Sequence, residues 1–288
     1  MRTFNIRGAQ HYCNNFGPAG HLPSLSVRDF AKQRFTQGKN KWILSEGSND
    51  FDDFRLCSLR ETHRNVFLTA SHFSRSLDLM HAASSHWAHV TLYYGSFFAA
   101  KALLGMFGCH LLSEHVIHVA ASSPGSQELL VQRIGNRQGM YRLFQRGSHR
   151  RFWEVFYNTA GSLVHFLDPA VQPVFTPISG DPMWLTKMRN EVNYDSYASA
   201  SMWFDFHRTF TAGSFPQCLP RGLLAQYQNC SLMLDAILKL TARFSLVTDA
   251  VDGFGGSVTF DDRLRRMIVN ATSPGVRPAA HDSELYAL

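Results

Sequence analysis

The sequence predicts a mainly α-helical protein, and three observations support that fold class. Of the 288 residues, 45% are hydrophobic and 17% are charged, which is enough apolar material for a sizeable core. Apolar residues recur at steps of three and four in several stretches, the spacing of one face of an α-helix. The 23 phenylalanines indicate a folded chain whose helices pack through large aromatic side chains. We therefore expect an all-α or mainly α bundle that leaves room for a small β insertion.

Five long helices form the predicted bundle, and they cover residues 61–82, 86–111, 149–167, 182–203 and 221–246. An apolar stripe predicts the first of them: Val66, Ala70, Phe73, Leu77 and Met80. The second is apolar on most sides, as is typical of a central, buried helix. Its expected core residues are Tyr94, Phe97, Phe98 and Leu104. Asp181-Pro182, an acidic residue followed by proline, is predicted to start the fourth helix.

The N-terminal segment is predicted from its turn residues. Residues 1–25 contain Gly17-Pro18-Ala19-Gly20 and are expected to be loop. A short helix is expected from Ser26 to about Gln37, with a short strand at 42–44 after it. The acidic run 50–53 is predicted to be a turn.

Residues 112–147 lack helical periodicity. Apolar runs at 116–119 and 129–131 flank the turn-like segment 122–126, which predicts a β-hairpin or two strands joined by a loose loop. The predicted organisation is an N-terminal segment (1–57), a helical bundle (58–246) with an insertion at 112–147, and a C-terminal extension with a mobile tail (247–288).

The composition also bears on location and on the state of the cysteines. No apolar run is long enough to span a bilayer, and the N-terminus lacks the pattern of a secretory signal, so a cytoplasmic protein with no membrane partner is expected. The five cysteines are widely spaced and odd in number, which favours free thiols over disulfides or a zinc ribbon. A net charge of +6 permits an anionic partner such as RNA but does not require one.

Common catalytic and metal-binding motifs are absent. There is no phosphate-binding G-x-x-x-x-G-K-[ST] loop, no H-E-x-x-H and no G-x-S-x-G. His86 and His89, or His115 and His118, have a spacing that suits two metal ligands, but no third ligand joins either pair. Hydrogen-bonded histidines in or near the core are the favoured interpretation. Paired aspartates at 52–53 and 261–262 could bind magnesium, although solvated turns explain them as well. No cofactor or metal is predicted.

Two segments resemble a known family. Tyr93-Tyr94-Gly95-Ser96-Phe97-Phe98-Ala99-Ala100-Lys101-Ala102-Leu103-Leu104 resembles the central helix of HEPN domains, and Met188-Arg189-Asn190-Glu191-Val192-Asn193-Tyr194-Asp195-Ser196-Tyr197 resembles their later, arginine-bearing helix. The order of the helices also fits, over about residues 58–246. The alternative is an unrelated all-α bundle in which these aromatic residues are simply core.

The resemblance implies a helical bundle that commonly dimerises. Many HEPN domains are metal-independent RNases of prokaryotic toxin–antitoxin, CRISPR and anti-phage systems, whereas others are binding or dimerisation modules. Their catalytic motif is an arginine, a polar residue next to it, and a histidine four to six residues after the arginine. The arginine is thought to stabilise charge on the phosphate, and the histidine helps proton transfer at the ribose 2′-hydroxyl.

This sequence departs from the active motif at the histidine. Arg189 and the polar Asn190 are present, but Tyr194 occupies the position where the family has histidine. A tyrosine has a reference pKa of about 10 and is a poor general base at neutral pH. The resemblance therefore implies a catalytic set of Arg189, Asn190 and Tyr194 with weak activity or none. The alternative role for Arg189 is an ion pair with Glu191 or Asp195 that orients the helix.

A basic stretch supplies the strongest compositional indication of nucleic acid. No acidic residue lies between Glu128 and Glu154, and aromatic residues such as Tyr141, Phe144 and Trp153 fall in or beside this stretch. Arginines contact phosphates, and exposed aromatic rings stack on bases. The candidate nucleic-acid-binding residues are Arg133, Arg137, Arg142, Arg146, Arg150 and Arg151. A solvated basic loop, or one that binds an acidic protein, explains the arginines equally well.

Three functions therefore follow from the sequence. The first is an RNA-directed HEPN-like protein, a weak or partner-dependent endoribonuclease of a prokaryotic defence or toxin–antitoxin system. The second is a non-catalytic HEPN-like module that forms a homodimer or binds a partner protein. The third is an unrelated helical enzyme that acts on a small molecule through its histidines.

Overall fold

The computed structural model describes residues 5–14, 25–35, 41–112, 115–123, 126–133, 148–160, 169, 172–177, 180–210 and 219–243. The α-helices are α1 (Ile6–Asn14), α2 (Val27–Phe35), α3 (Asn49–His81), α4 (Ser85–Met106), α5 (Ser148–Ala160), α6 (Trp184–Tyr194), α7 (Ser196–Phe210) and α8 (Arg221–Arg243). The strands are β1 (Lys41–Ser45), β2 (His110–Leu111), β3 (His115–Ser123) and β4 (Ser126–Arg133), and a short 3-10 helix covers Gln172–Phe175. The prediction of a mainly α fold with a small β insertion is confirmed.

The helix α4 lies at the centre of the bundle, as its all-round apolar character predicted. It contacts α3, α5, α6, α7 and α8. The contact with α8 is close because Gly95 has no side chain: a Cβ at this position would lie 2.9 Å from the sulfur of Cys230. Two buried hydrogen bonds also join these helices, from Asn229 to the Ser96 hydroxyl (3.2 Å) and between His89 and Gln226 (2.8 Å).

Burial along α4 differs from the prediction at three of its four expected core residues. Leu104 is buried, but Tyr94, Phe97 and Phe98 are only half-buried. The fully buried aromatic of the stretch is Tyr93. The rings of Tyr94 and Phe98 lie beside His72 on α3, and the ring of Phe97 packs against Phe152 on α5.

The helix α3 begins at Asn49, so the predicted turn at 50–53 is wrong. Ser48 caps this helix by accepting a hydrogen bond from the backbone N–H of Phe51 (3.3 Å). Asp50 and Asp52 then lie in the first turn, where the helix dipole favours negative charge. The acidic run that looked like a turn is therefore the start of a helix.

The strands form one antiparallel sheet in the order β1-β4-β3-β2. The predicted strand at 42–44 and the predicted β-hairpin are both present, and β1 pairs with β4 so that Ile43 lies opposite Leu130. The sheet lies beside the bundle, where β1 contacts α3 and β2 contacts α4. The N-terminal segment thus pairs directly with the insertion, and α3 runs without a break across residues 57 and 58.

The prediction of loop for residues 1–25 is wrong at its beginning, because α1 forms and packs on β3. Gly8 permits this close approach: a Cβ there would lie 2.6 Å from a methyl carbon of Val119. The Gln127 side chain also donates a hydrogen bond to the Gly8 carbonyl (3.1 Å). One face of the sheet is therefore covered by α1.

The predicted helix over 182–203 is two helices, α6 and α7, separated at Asp195. The backbone of Asp195 is extended (φ −110°, ψ 101°), and its carboxylate accepts a hydrogen bond from the N–H of Tyr197 (3.0 Å). Asp181 accepts a hydrogen bond from the N–H of Met183 (2.9 Å), so it forms the turn before α6. Within the described ranges, no helix combines the length and hydrophobicity needed to cross a membrane.

Candidate anion-binding site around Arg189

Arg189 lies on α6 with its side chain half-buried against α4. Its guanidinium carbon is 5.1 Å from the centre of the Tyr93 ring, which is the geometry of a cation–π contact. Two of its nitrogens, Nε and Nη2, donate to the side-chain oxygen of Asn190 at 3.2 and 2.7 Å. Asn190, the predicted polar neighbour of the arginine, therefore helps to hold the guanidinium in place.

No carboxylate in the described part of the chain forms an ion pair with Arg189. The alternative role for this arginine, an ion pair with Glu191 or Asp195, is thus wrong for the described residues, and Asp195 caps α7 instead. An arginine keeps its charge at any physiological pH. Among the described residues, the Arg189 guanidinium contacts a neutral amide and an aromatic ring, which favours the approach of an anion.

The Tyr93 hydroxyl joins three helices at this site. It lies 2.5 Å from Nδ1 of His149 on α5, and the indole N–H of Trp153 points at it from 3.4 Å. The indole is only a donor, so the phenol oxygen accepts from it, and the same oxygen accepts from His149 when the imidazole carries its proton on Nδ1. Burial is the main cause that raises the pKa of Tyr93, and Trp153, Thr186 and Arg189 partly offset this effect. Tyr93 is therefore a neutral phenol at pH 7.

His149 is the titratable group of the site. Burial lowers its pKa below the usual 6.5, and the positive charge of Arg189 lowers it further. The imidazole is therefore mostly neutral at pH 7, with one ring nitrogen as donor and the other as acceptor. A neutral histidine beside an arginine is the pair of groups that acid–base chemistry on a phosphate requires.

The sequence did not reveal His149 as a site residue. It lies in the first turn of α5, far from Arg189 in the chain, and no spacing links the two. They meet only because α5 and α6 both pack against α4, where Tyr93 lies between them. Tyr93 belongs to the segment that carries the family resemblance, and its contacts with His149 and Trp153 give its hydroxyl a polar role as well.

Tyr194 lies at the end of α6 with 80% of its surface exposed. It makes no hydrogen bond or ring contact with a described residue. The side chain of Tyr197 is 85% exposed, and further along α7 Phe204 is 66% exposed. The predicted trio of Arg189, Asn190 and Tyr194 therefore has two members in contact and a third that is exposed at the end of α6.

The basic stretch is described only in part. Arg150 forms an ion pair with Glu154 (2.8 Å), and Arg151 is half-buried. Phe152 and Trp153 are buried, so the suggestion that Trp153 stacks on bases is wrong. The side chain of Arg133, the arginines at 137, 142 and 146, and the aromatic residues Tyr141 and Phe144 all lie outside the described residues.

The histidine pairs with metal-ligand spacing have other contacts. His89 is buried and bonds Gln226, and its pKa is lowered to about 4 by burial. The ring of His118 bonds the carbonyl of Val119 (3.1 Å). Among the described residues, no group of three or more His, Cys, Asp or Glu side chains could hold a metal ion. Four cysteines are buried free thiols, Cys13, Cys57, Cys109 and Cys230.

Comparison of the chain with protein-family models, with curated proteins and with solved structures gives no match.

Proposed function

We propose that this chain is an RNA-directed, HEPN-like protein, a weak or partner-dependent endoribonuclease that needs no metal. The observation that carries the proposal is the arrangement at Arg189: a cation without a described carboxylate partner, held on the Tyr93 ring, next to a neutral His149. The family resemblance suggests RNA as the anion. It also suggests a cytoplasmic prokaryotic defence or toxin–antitoxin system and a homodimer or partner protein.

In the proposed reaction, the ribose 2′-oxygen attacks the adjacent phosphorus and the bond from phosphorus to the 5′-oxygen breaks. The products are a 2′,3′-cyclic phosphate and a 5′-hydroxyl. His149, in the tautomer whose Nδ1–H donates to the Tyr93 oxygen, takes the proton from the 2′-hydroxyl at Nε2, and the 5′-oxygen gains one from solvent or from the second copy of the site. Arg189 stabilises the negative charge that builds up on the phosphate oxygens. The Tyr93 hydroxyl positions the imidazole.

This assignment moves the acid–base role from Tyr194 to His149. A tyrosine is protonated at neutral pH, whereas the lowered pKa of His149 makes it available as a base. The missing histidine of the family motif is then replaced by one from a different helix. The Tyr194 ring is exposed at the C-terminal end of α6, so it is available for contact with RNA or with a second subunit.

The first experiment uses a 5′-labelled single-stranded RNA in the presence of EDTA. We expect His149→Gln to lower the cleavage rate by about 10²–10⁴-fold while RNA binding is retained. Arg189→Gln should weaken both binding and cleavage. The matched control is Arg208→Gln, which removes an exposed arginine that pairs with Asp205 on α7. Cleavage that survives both site substitutions would refute the proposed site.

The second experiment separates the two candidate positions for the histidine. If the family geometry holds, Tyr194→His should raise cleavage without added metal, and Arg189→Ala should abolish the gain. Tyr194→His in a His149→Gln background shows whether a histidine at position 194 can replace His149 in cleavage at the same phosphate. A rescue would place residue 194 within reach of the site, and no effect in either background would exclude it.

The basic stretch is tested through the salt dependence of RNA binding. Replacing Arg137, Arg142 and Arg146 together with alanine should weaken binding, and each lost phosphate contact should reduce the slope against log salt by about one. An unchanged affinity and slope would show that these arginines do not contact RNA.

A second candidate function, a non-catalytic interaction module, is favoured by the exposed aromatic residues of α6 and α7. Tyr194, Tyr197 and Phe204 are 80%, 85% and 66% exposed, and aromatic residues are enriched at protein–protein interfaces. Sedimentation of the chain with and without Phe204→Ser tests this function. A dimer that dissociates on substitution, with no RNA affinity, would favour the module over the nuclease.

A further inference from the structure

A cavity of about 460 Å³ lies apart from Arg189, between the start of α2, the middle of α3, the end of α4, β2 and α5. This volume falls within the range of about 300–1,000 Å³ that small-molecule sites occupy. Its wall combines apolar side chains, among them Leu104, Leu111 and Phe152, with several charged ones. The question is which molecule such a wall would hold.

Two arginines at the rim of the cavity have no partner in the described part of the chain. Arg28 is on the first turn of α2 and Arg64 is on α3, and both are exposed. The other charged side chains that line the cavity already contact a described residue. Lys101 lies 3.8 Å from Glu61, and Asp29 accepts a hydrogen bond from the Ser26 hydroxyl (2.6 Å). Asp29 keeps its charge in this hydrogen bond, so the charged side chains that line the cavity sum to about one positive unit, and Arg28 and Arg64 are the two guanidinium groups without a described ion-pair partner.

Asn65 supplies the second observation. This residue is only 2% exposed and lines the cavity, and its side-chain amide makes no hydrogen bond with a described residue. Its amide atoms are not among the fully enclosed polar atoms of the described residues that lack a partner, so they are open to the cavity and available to a ligand. By contrast, the buried amide of Asn229 on α8 donates to Ser96. A polar ligand in the cavity would satisfy the Asn65 amide.

We propose that this cavity binds a small organic phosphate monoester. A phosphate monoester carries a charge of about −1.5 to −2 at neutral pH and three strong acceptor oxygens, so it can accept hydrogen bonds from both Arg28 and Arg64 at once. Guanidinium groups also present paired donors that suit tetrahedral oxyanions. The Asn65 amide would bond the polar part of the attached group, and the apolar wall with Phe152 would cover its remainder. This site does not depend on the proposed function of Arg189.

Isothermal titration calorimetry with the full chain tests the proposal. The probes are AMP and ribose 5-phosphate, with adenosine and ribose as matched neutral compounds. We expect at least one phosphate to bind, about ten-fold or more tighter than its neutral counterpart. Arg28→Gln and Arg64→Gln should each weaken that binding by a similar factor. Arg75→Gln, which removes an exposed arginine of the same helix that pairs with Asp78, should leave the affinity unchanged.

Asn65→Leu distinguishes a ligand contact from a structural one. Because the amide has no described protein partner, the substitution should leave the unfolding midpoint unchanged or raise it, while phosphate binding weakens by about three- to ten-fold. A lowered midpoint with unchanged binding would overturn the assignment of Asn65. Binding of neither phosphate would overturn the site. If a single-stranded RNA bound with the same dependence on Arg28 and Arg64 and AMP did not, the small-molecule assignment would also fail.

Discussion

The hydroxyl of Tyr93 should contribute to stability as well as to the site, and Tyr93→Phe measures its contribution. The hydroxyl has two described hydrogen-bond partners, His149 at 2.5 Å and the indole N–H of Trp153 at 3.4 Å. Trp153 is fully buried, so its N–H cannot turn to water, and an orphaned buried donor costs about 1–3 kcal/mol. His149 is half-buried and can regain a water, which adds about 0.5–1 kcal/mol. We expect a total loss of about 2–3 kcal/mol.

Equilibrium urea denaturation measures this loss, and Tyr157→Phe is the matched control. The Tyr157 hydroxyl is also buried, but its one described hydrogen bond is from the indole of Trp184 at 3.3 Å. Its removal should cost about 1–2 kcal/mol, less than the loss at Tyr93. If Tyr93→Phe costs no more than Tyr157→Phe, or less than about 0.5 kcal/mol, the Tyr93 hydroxyl does not join the helices as described.

Three further predictions concern charge and packing. Arg189→Gln should raise the pKa of His149, since the arginine is one cause of its lowering, and an unchanged NMR titration of the imidazole would contradict the contact. Phe73→Ala should lower the free energy of unfolding by about 3–5 kcal/mol in urea denaturation, because Phe73 is fully buried. Phe98→Ala should lower it by about 2 kcal/mol, because Phe98 is half-buried. Equal losses would contradict the assigned burial. Burial lowers the pKa of His89 to about 4 from about 6.5 in the unfolded chain, so the unfolded state binds more protons between these values and stability falls as pH falls. From pH 7 to 5 His89 should account for a loss of about 2 kcal/mol, which His89→Gln should remove.

The helices that the sequence predicted best are those whose signal is local and uninterrupted. The helix predicted from the stripe at 66–80 and the helix predicted over 221–246 are both present, as α3 and α8. The start of α3 was missed because acidic residues suit both a turn and a first helical turn, and only the Ser48 cap separates the two. The α1 helix had a signal in Ile6, Ala9 and Tyr12, three residues apart, that the glycines and prolines after it obscured.

The site was less predictable than the fold. Arg189 and Asn190 are adjacent in sequence, so their contact could be anticipated. No glycine or proline lies at the break between α6 and α7, so the sequence does not predict that the helix ends at Tyr194. The exposure of Tyr194 could therefore not be anticipated. His149 joins Arg189 only through the packing of three helices, and no local rule contains that information.

The helix α5 carries residues of both sites, one turn apart. His149 faces Tyr93, and Phe152 lines the cavity of the second site. The ring of Phe97 touches both, with centres 5.1 Å from His149 and 4.5 Å from Phe152. If a molecule in the cavity shifts α5, the affinity of the Arg189 site for its anion changes, and thermodynamics requires that anion to change the cavity's affinity by the same factor. A protein built in this way would couple the occupancy of one site to the cellular concentration of the molecule that fills the other.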